Sequence, residues 1–227
     1  MKLVHTQLEN ELMQDQQSIG FLIVEKPVFL LELCRELLAQ AEGEDGRFVL
    51  SENYKPISIP RNLHFIDSPL RIEHNPRKAI TALYKELEIF LAENPASGEL
   101  QSLLDRMTDL LNQILLESRL ELAGLEQPSW NSIFKFFSVS FRSDYSGMEE
   151  DISNYLNLAK SYLGFSFFAI FGVCQFLTAE SLGLLCKQIA YDDLKVLFIE
   201  SCLPDEKRPP DIRILTVDSD LCEIVMV

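Results

Sequence analysis

The segment "FSFFAIFG", residues Phe165–Gly172, constrains the fold most, because it is the most hydrophobic run in the chain. A strand that is apolar at successive positions is buried on both faces, as in a parallel sheet covered by helices above and below. The segment "LKVLFIES" has the same character and predicts a second buried strand. A third segment, "SIGFLIVEKP", predicts a strand over Gly20–Glu25 and a helix that begins at Pro27 and ends near Gln40. This pattern predicts an α/β fold.

Further strands are predicted on both sides of the chain's midpoint. A hairpin with its turn near Glu52 and Asn53 is expected in "RFVLSENYKPISI", and short strands are expected in "NLHFIDSP" and "SVSF". Two terminal strands are expected to meet at Asp218–Asp220. From Ser138 onward the order strand, helix, strand, helix, strand indicates a mostly parallel sheet. We therefore predict an α/β head domain formed by residues 1–75 and 123–227.

Residues 76–122 interrupt this alternation with an almost entirely helical pattern, which predicts a helical extension. A helix is predicted to start with Pro76 in its first turn and to end at Asn94 and Pro95, and a second helix begins after Ser97. Apolar residues then recur at alternating spacings of four and three, and they are Leu100, Leu104, Met107, Leu111 and Ile114. This spacing predicts two helices packed along their length with a coiled-coil-like seam.

Composition excludes several classes of protein. No run of apolar residues approaches the roughly 18 that a transmembrane helix needs, and the polar start "MKLVHTQLENELMQDQQ" lacks the apolar core of a signal peptide. We expect a cytoplasmic protein. The five cysteines form no Cys-x-x-Cys pair, so they are expected to be reduced core thiols and not zinc ligands.

Catalytic motifs are missing from the sequence. A phosphate-binding loop needs Gly-x-x-x-x-Gly-Lys-Ser/Thr between a strand and a helix, whereas the helix after the first strand begins "EKPVF". The strand that ends at Gly172 continues into Val173 and Cys174, without the acid that would help to hold magnesium. The histidines His5, His64 and His74 show no metal-ligand spacing. We do not expect ATP hydrolysis or another enzymatic activity.

Charge is unevenly distributed along the chain. The formal net charge of −15 argues against general nucleic-acid binding, which needs local positive charge. Between Lys55 and Lys85, however, six basic residues face only two acids, Asp67 and Glu73. This window is either a phosphate-binding surface or a solvated surface with fewer acids. Glu117, Glu121 and Glu126 cluster near a helix end, as either a site for a hard cation or a solvated acidic face.

Several strings resemble a known family. The C-terminal half, "FLTAESLGLLCKQIAYDDLKVLFIES" followed by "LTVDSDLCEIV", is similar to the type II-A CRISPR adaptation proteins of the Csn2 family. Near the N-terminus, "FLIVEKPVFLLELCRELL" resembles that family's first strand and helix, and "IDSPLRIEHNPRKAITALYKELE" resembles its entry into the helical segment. The resemblance covers nearly the whole chain, at the level of pattern.

The resemblance implies a specific function. It implies an ATPase-like head that lacks a P-loop, a helical extension, and a homotetrameric ring. Such a ring binds the ends of double-stranded DNA in its central hole without sequence preference. It supports spacer acquisition together with the CRISPR integrase proteins and the effector nuclease, and calcium stabilises it near the junction of head and extension.

Candidate site residues follow from the resemblance and the basic window together. The DNA-binding candidates are Arg71, Arg77, Lys78 and Lys85, and then Arg142. The calcium candidates are Glu117, Glu121 and Glu126, although their stretch "LLESRLELAGLEQPSWNS" holds fewer acids than the family's, which predicts weaker binding. Two alternatives stay open. One is an oligomeric protein-interaction module without nucleic acid, and the other is a protein that senses a nucleotide without hydrolysing it.

Overall fold

The structure, a computed structural model, describes residues 1–118 and 127–226. The chain divides into two compact units. The first comprises Met1–His74 together with Arg142–Val227, and the second comprises Asn75–Phe141. The strands of the described residues all lie in the first unit.

The strands and helices follow one another along the chain in an alternating order. The strands are β1 (Lys2–His5), β2 (Ile19–Val24), β3 (Phe48–Glu52), β4 (Lys55–Ile57), β5 (Leu63–Ile66), β6 (Phe167–Phe171), β7 (Val196–Glu200), β8 (Ile214–Val217) and β9 (Glu223–Met226). The helices are α1 (Pro27–Glu42), α2 (Ile59–Asn62), α3 (Arg77–Glu93), α4 (Ser97–Leu116), α5 (Trp130–Phe136), α6 (Met148–Leu158) and α7 (Ala179–Tyr191). Short 3₁₀ turns lie at Pro69–Arg71 and Asp205–Lys207, and a π-helical turn at Ala159–Leu163 extends α6.

The main sheet of the first unit has the strand order β5-β6-β7-β2-β8-β9. Strands β5, β6, β7, β2 and β8 are parallel, and β9 runs antiparallel to β8 at the edge. The register places Phe21 opposite both Phe198 and Ile214. The prediction of an α/β fold with a mostly parallel sheet is confirmed.

Both faces of this sheet are covered, as the continuous apolar strands require. On one face Phe21, Phe168 and Phe198 are fully buried in a core to which α6 and α7 contribute. On the other face, alternate residues of the same strands, such as Leu22 and Leu197, are buried in a core that contains side chains of α1. The β-strand period of two therefore supplies two cores from one set of strands.

A second, antiparallel sheet of order β1-β3-β4 contributes to the core on the α1 side. The β3–β4 hairpin was predicted, and its turn residues Asn53 and Tyr54 have positive φ. Strand β1 was not predicted, because only Leu3 and His5 of its four residues are buried and a polar segment follows. Leu3 of β1 also forms an isolated bridge with Met13.

The second unit consists of α3, α4 and α5 with their connections. The Tyr84 hydroxyl of α3 donates to the Val139 carbonyl at 3.0 Å, and its ring lies 5.4 Å from that of Phe134 in α5. The Asn75 side chain closes the unit, because it bonds both the N–H and the C=O of Phe141, at 2.8 and 3.2 Å. The predicted extension ended at residue 122, whereas this unit includes α5 and continues to Phe141.

Three local predictions were wrong. Cys202 and Cys222 are exposed to solvent, so they are not core thiols. The "SVSF" segment, residues 138–141, is not a strand, because its backbone groups bond the side chains of Asn75 and Tyr84 instead of a neighbouring strand. The apolar seam of α4 is not packed along its length. Leu104 is buried, but Met107 and Ile114 remain 48% and 63% exposed.

Candidate nucleic-acid interface

Helix α3 is divided by charge into two halves. Its first nine residues, Arg77–Lys85, contain three cations and no acid. The remaining eight residues contain no cation and three acids, which are Glu86, Glu88 and Glu93. The cations of the first half are Arg77, Lys78 and Lys85, all exposed to solvent. Three of the six cations of the basic window therefore lie on one half of one helix.

The start of α3 suits an anion. Its N-cap is Pro76, which makes no capping bond, so the N–H groups of the first turn have no side-chain acceptor there. Arg77 and Lys78 occupy the first two helical positions, where the helix dipole favours negative charge and cations are unfavourable by about 0.3–1 kcal/mol each. An anion bound at this end would be stabilised both by the two cations and by the first-turn N–H groups, which the N-cap side chain does not cover.

Spacing along α3 matches an extended anion. Lys78 and Lys85 are seven residues apart, so they lie on the same face about 10 Å from each other along the helix axis. Arg77 and Lys85 form no ion pair within the described residues, so their charges are available to a ligand. The helix is held at Tyr84, through the hydrogen bond to Val139.

The other two DNA-binding candidates belong to the first unit. Arg71 is exposed at the end of the 3₁₀ turn Pro69–Arg71 and makes no ion pair in the part of the chain that the structure describes. Arg142 is already engaged. Its Nε donates to Asp144 Oδ1 at 3.0 Å, and its guanidinium lies 5.5 Å from the centre of the Tyr145 ring. The structure therefore groups Arg77, Lys78 and Lys85 on one helix of the second unit, whereas Arg71 and Arg142 belong to the first unit.

The segments on which Arg71 and Arg142 lie are joined by an ion pair within the first unit. His74 Nε2 lies 2.8 Å from Asp151 Oδ1, and the His74 ring is 5.4 Å from that of Tyr145. Burial raises the pKa of Asp151, and the neighbouring His74 partly offsets this shift. Asp151 stands in the first turn of α6, next to Glu149 and Glu150. This pairing ties residue 74 to the segment that follows Arg142.

The calcium candidates are only partly described. Glu117 is exposed and caps the C-terminus of α4, while Glu121 and Glu126 lie outside the described residues. Among the described residues, no group of three His, Cys, Asp or Glu side chains is arranged to hold a metal ion. One exposed carboxylate does not by itself make a calcium site, because calcium takes six to eight oxygen ligands.

The second unit also carries an exposed apolar face. We call it the α4 stripe and define it by the α4 residues Leu100, Leu103, Met107, Leu110, Leu111 and Ile114. Each is between 38% and 63% exposed. Contiguous apolar surface of this kind marks an interaction site on soluble proteins. The apolar period that the sequence predicted is therefore present, but it remains largely exposed among the residues that the structure describes.

At the carboxyl edge of the sheet, where α/β proteins commonly bind ligands, two charged side chains bond the backbone of Cys174. Glu200, at the end of β7, accepts from the Cys174 N–H at 2.8 Å, and Lys207 donates to the Cys174 carbonyl at 2.9 Å. Glu200 is only 4% exposed, and burial raises its pKa. The sequence analysis found no acid after the strand that leads to Cys174. The neighbouring strand β7 ends in an acid, and this acid is buried.

Sequence reasoning missed Glu200 and the uncapped start of α3. Glu200 could have been suspected, because it follows the fully apolar run "VLFI" and so had to be drawn into the core. The division of charge in α3 could also be read from its sequence. The lack of a side-chain cap at the start of α3 became evident only once the helix boundary at Arg77 was known.

Comparison with known proteins finds a matching family model and a solved structure of similar fold. The family model described as "CRISPR-associated protein (Cas_Csn2)" matches residues 40–220. Among solved structures, one described as the crystal structure of Stu0660 of Streptococcus thermophilus superposes with a TM-score of 0.57. It is 12% identical and covers 95% of this chain and 74% of that chain, so the likeness concerns the fold. None of the curated proteins compared with the chain matches it. Within the described residues, no helix has the length and apolar character to cross a membrane.

Proposed function

Since the chain belongs to the Csn2 family of CRISPR-associated proteins, we propose that it binds the ends of double-stranded DNA without sequence preference and supports the acquisition of new spacers. It does so without catalysing a reaction. The observation that carries this proposal is the start of α3, where Arg77 and Lys78 stand beside uncapped N–H groups. Lys85 continues the positive charge along the same helix.

The proposed mechanism is neutralisation of phosphates. DNA phosphates are spaced evenly along the duplex whatever its sequence, so a row of exposed cations binds them without reading bases. Lys78 and Lys85 on one face, with Arg77 at the helix start, make such a row in each protomer. Arg71 would add to it, and Arg142 would have to release Asp144 first.

Assembly into a homotetrameric ring would explain both the net charge and the α4 stripe. Burying this stripe against a second copy would remove apolar surface from water, at about 25 cal/mol per Å². Several copies of α3 around a hole would raise the local positive potential, although the chain as a whole carries −15. The acidic outer surface would then be free for the integrase proteins and the effector nuclease.

We also propose that the first unit is an ATPase-like head that has lost nucleotide hydrolysis. In support, five parallel strands are covered on both faces, and β2 lies inside the sheet between β7 and β8. Lys26 and Pro27 replace a glycine-rich loop after β2. Glu200 and Lys207 hold the backbone of Cys174 at the edge where a nucleotide would bind.

Calcium stabilisation remains a proposal with a direct test. Glu117, Glu121 and Glu126 are the residues that would supply carboxylate oxygens. A calcium-dependent rise in the melting temperature that a triple substitution of these residues by glutamine abolishes would support it. An unchanged melting temperature in calcium and in chelator would remove calcium from the proposal.

A protein-interaction module without nucleic acid is the second candidate. The α4 stripe favours it, because an exposed apolar face needs a protein partner whether or not DNA binds. It predicts a stable oligomer with no affinity for duplex DNA at moderate salt.

A salt titration of duplex affinity separates the two candidates. Arg77 and Lys85 would both be changed to glutamine, which keeps the helix but removes two charges. If they bind phosphates, the slope of log K against log salt should fall by about 0.9 for each phosphate that is no longer neutralised. A lower slope with the oligomer intact would support the DNA-binding proposal.

The matched control changes Lys26 and Arg35 to glutamine. Both are exposed cations of the first unit at α1, so this variant has the same net charge as the test variant. Its salt slope should stay close to that of the unmodified protein. If both variants lose affinity equally, binding depends only on net charge and α3 is not the interface.

A further inference from the structure

A cavity of about 460 Å³ opens at the amino-terminal edge of the main sheet, at the opposite end of the strands from Glu200. Its walls come from the segment that leads into β2, from one face of α7 and from the segment that leads into β8. Most of its lining surface is apolar, with Ile19, Cys186 and Ile212 among its residues. Ligand pockets for small molecules have this size and this mostly apolar character.

A buried cation lines the cavity without a negative partner. Arg213 is only 7% exposed, and one of its guanidinium nitrogens donates to the backbone carbonyl of Glu11. The carboxylate of Glu11 pairs with Lys2 instead. Among the described residues no carboxylate lies within ion-pair distance of Arg213.

The energetic consequence favours an external anion. A buried charge without a counterion is unfavourable, because its lost hydration is not replaced by an opposite charge. The other charged residues that line the cavity are Lys187 and Asp211, so the lining carries two cations and one acid. An anion that enters beside Arg213 would supply the missing partner in a partly dry environment.

A glycine in α7 provides a second, independent observation. Gly183 lies inside this helix and lines the cavity, and a Cβ atom added there would meet no atom within 4 Å. Glycine is among the least favourable residues in a helix interior, and here no neighbouring atom requires it. Because Gly183 has no side chain, the cavity wall is open at this position and a ligand has room there.

We propose that this cavity binds a small organic anion, with its phosphate or carboxylate group paired to Arg213 and its apolar part against Ile19 and Ile212. Lys187 would add a second positive charge. The apolar lining does not suit the sugar-phosphate backbone of DNA, and the site uses none of the cations of α3. The proposal therefore stands independently of DNA binding.

The test measures binding of phenyl phosphate, benzoate, inorganic phosphate and benzyl alcohol to the full-length protein by calorimetry. The aryl anions carry both the charge and the apolar group, so at least one should bind about tenfold or more tightly than inorganic phosphate and benzyl alcohol. Comparison of phenyl phosphate with benzoate identifies which acid the site prefers. Absence of binding by both aryl anions at about 10 mM would overturn the proposal.

Variants place the binding in this cavity. Gly183→Leu should fill the space and weaken aryl-anion binding about tenfold or more, whereas Gly183→Ala should change it by no more than about twofold, because one methyl group occupies little of the volume. Arg213→Met should also abolish binding. If that variant fails to fold, because Arg213 anchors the Glu11 carbonyl, Lys187→Gln supplies the charge test and should weaken binding about twofold to tenfold.

Two further outcomes would contradict the proposal. Aryl-anion binding that Gly183→Leu leaves unchanged would place the ligand elsewhere on the protein. Loss of duplex DNA affinity in Gly183→Leu, with no aryl-anion binding in the unmodified protein, would assign this surface to nucleic acid instead.

Discussion

The two units of the protein bury their apolar residues to very different degrees. In the first unit β6, β7, β2 and β8 are buried on both faces, and Phe21, Phe168 and Phe198 are completely inaccessible. In the second unit α4 buries only Leu104 and Thr108, while the α4 stripe remains exposed. The first unit supplies its own core. The second has an apolar face that a single chain does not cover, which is the expected property of an assembly surface.

The two proposed surfaces lie in the same unit. The α4 stripe, proposed for self-association, and the basic half of α3, proposed for DNA, both belong to the second unit. In the first unit, Glu200 and Lys207 bond the backbone of Cys174 at the carboxyl edge of the sheet. We therefore expect the second unit to carry the proposed function.

The largest expected effect is a loss of stability when a side chain in the core of the first unit is truncated. Phe198→Ala removes a fully buried ring that lies 4.9 Å from the Phe21 ring, and it should cost about 3–5 kcal/mol of unfolding free energy in urea denaturation. The matched control is Phe136→Ala in α5, where the ring is 80% exposed. That variant should lose no more than about 0.5 kcal/mol. Equal losses would contradict the contrast in burial.

The next prediction concerns the α4 stripe. Changing Leu103 and Leu110 to glutamate places two charges on the exposed apolar face, so the dissociation constant of the oligomer should rise about tenfold or more. Analytical ultracentrifugation over a range of concentrations measures this. The control changes Ser102 and Gln113 to glutamate, at exposed positions of the same helix outside the α4 stripe, and should leave assembly unchanged. An intact oligomer in both variants would show that the stripe is not the interface.

A smaller effect is expected from the tyrosine that holds α3. Tyr84→Phe removes the hydroxyl that donates to the Val139 carbonyl and should destabilise the second unit by about 1 kcal/mol. Amide hydrogen exchange should therefore accelerate in α3 and α5 and stay unchanged in β6 and β7. Acceleration in the sheet strands as well would mean that the two units unfold together.

The smallest expected effect is the loss, at low pH, of the stability that one ion pair gives to the first unit. Hydrogen bonds from Arg47 lower the pKa of Glu36 to about 2, although burial opposes the shift. Its stabilisation is present above the unfolded pKa near 4.5 and is lost as pH falls towards about 2. Since Arg47 is 43% exposed, solvent screening keeps this contribution small.

Comparison with Glu36→Gln measures this contribution. The unmodified protein should be more stable than the variant at pH 7, and the difference should vanish at about pH 2. A difference that does not change with pH would assign the effect to packing of the side chain and not to its charge.

The parts of the fold that the sequence predicted well are those in which local pattern and tertiary environment agree. "FSFFAIFG" and "LKVLFIES" became β6 and β7, because a strand apolar on both sides can be satisfied only inside a covered sheet. Helix α1 began at Pro27 as predicted, since proline suits the first helical position.

Other features depend on contacts distant in sequence. The "SVSF" segment had strand-like residues, but Asn75 and Tyr84 took its backbone groups. The period of the α4 stripe was predicted correctly, yet periodicity does not reveal whether the face is covered within one chain. For the site, the sequence proposes Arg77, Lys78 and Lys85, which stay predictions, and the engagement of Arg142 by Asp144 needed coordinates.

Binding of linear and closed-circular duplexes of the same sequence tests the central claim most directly. The two forms would be compared by gel shift at two salt concentrations. A ring that threads onto ends should bind the linear form, bind the circular form much more weakly and lose affinity as salt rises. Equal affinity for both forms would contradict end binding through a closed ring. Absence of binding to either form would contradict the DNA-binding proposal and favour a protein-interaction module.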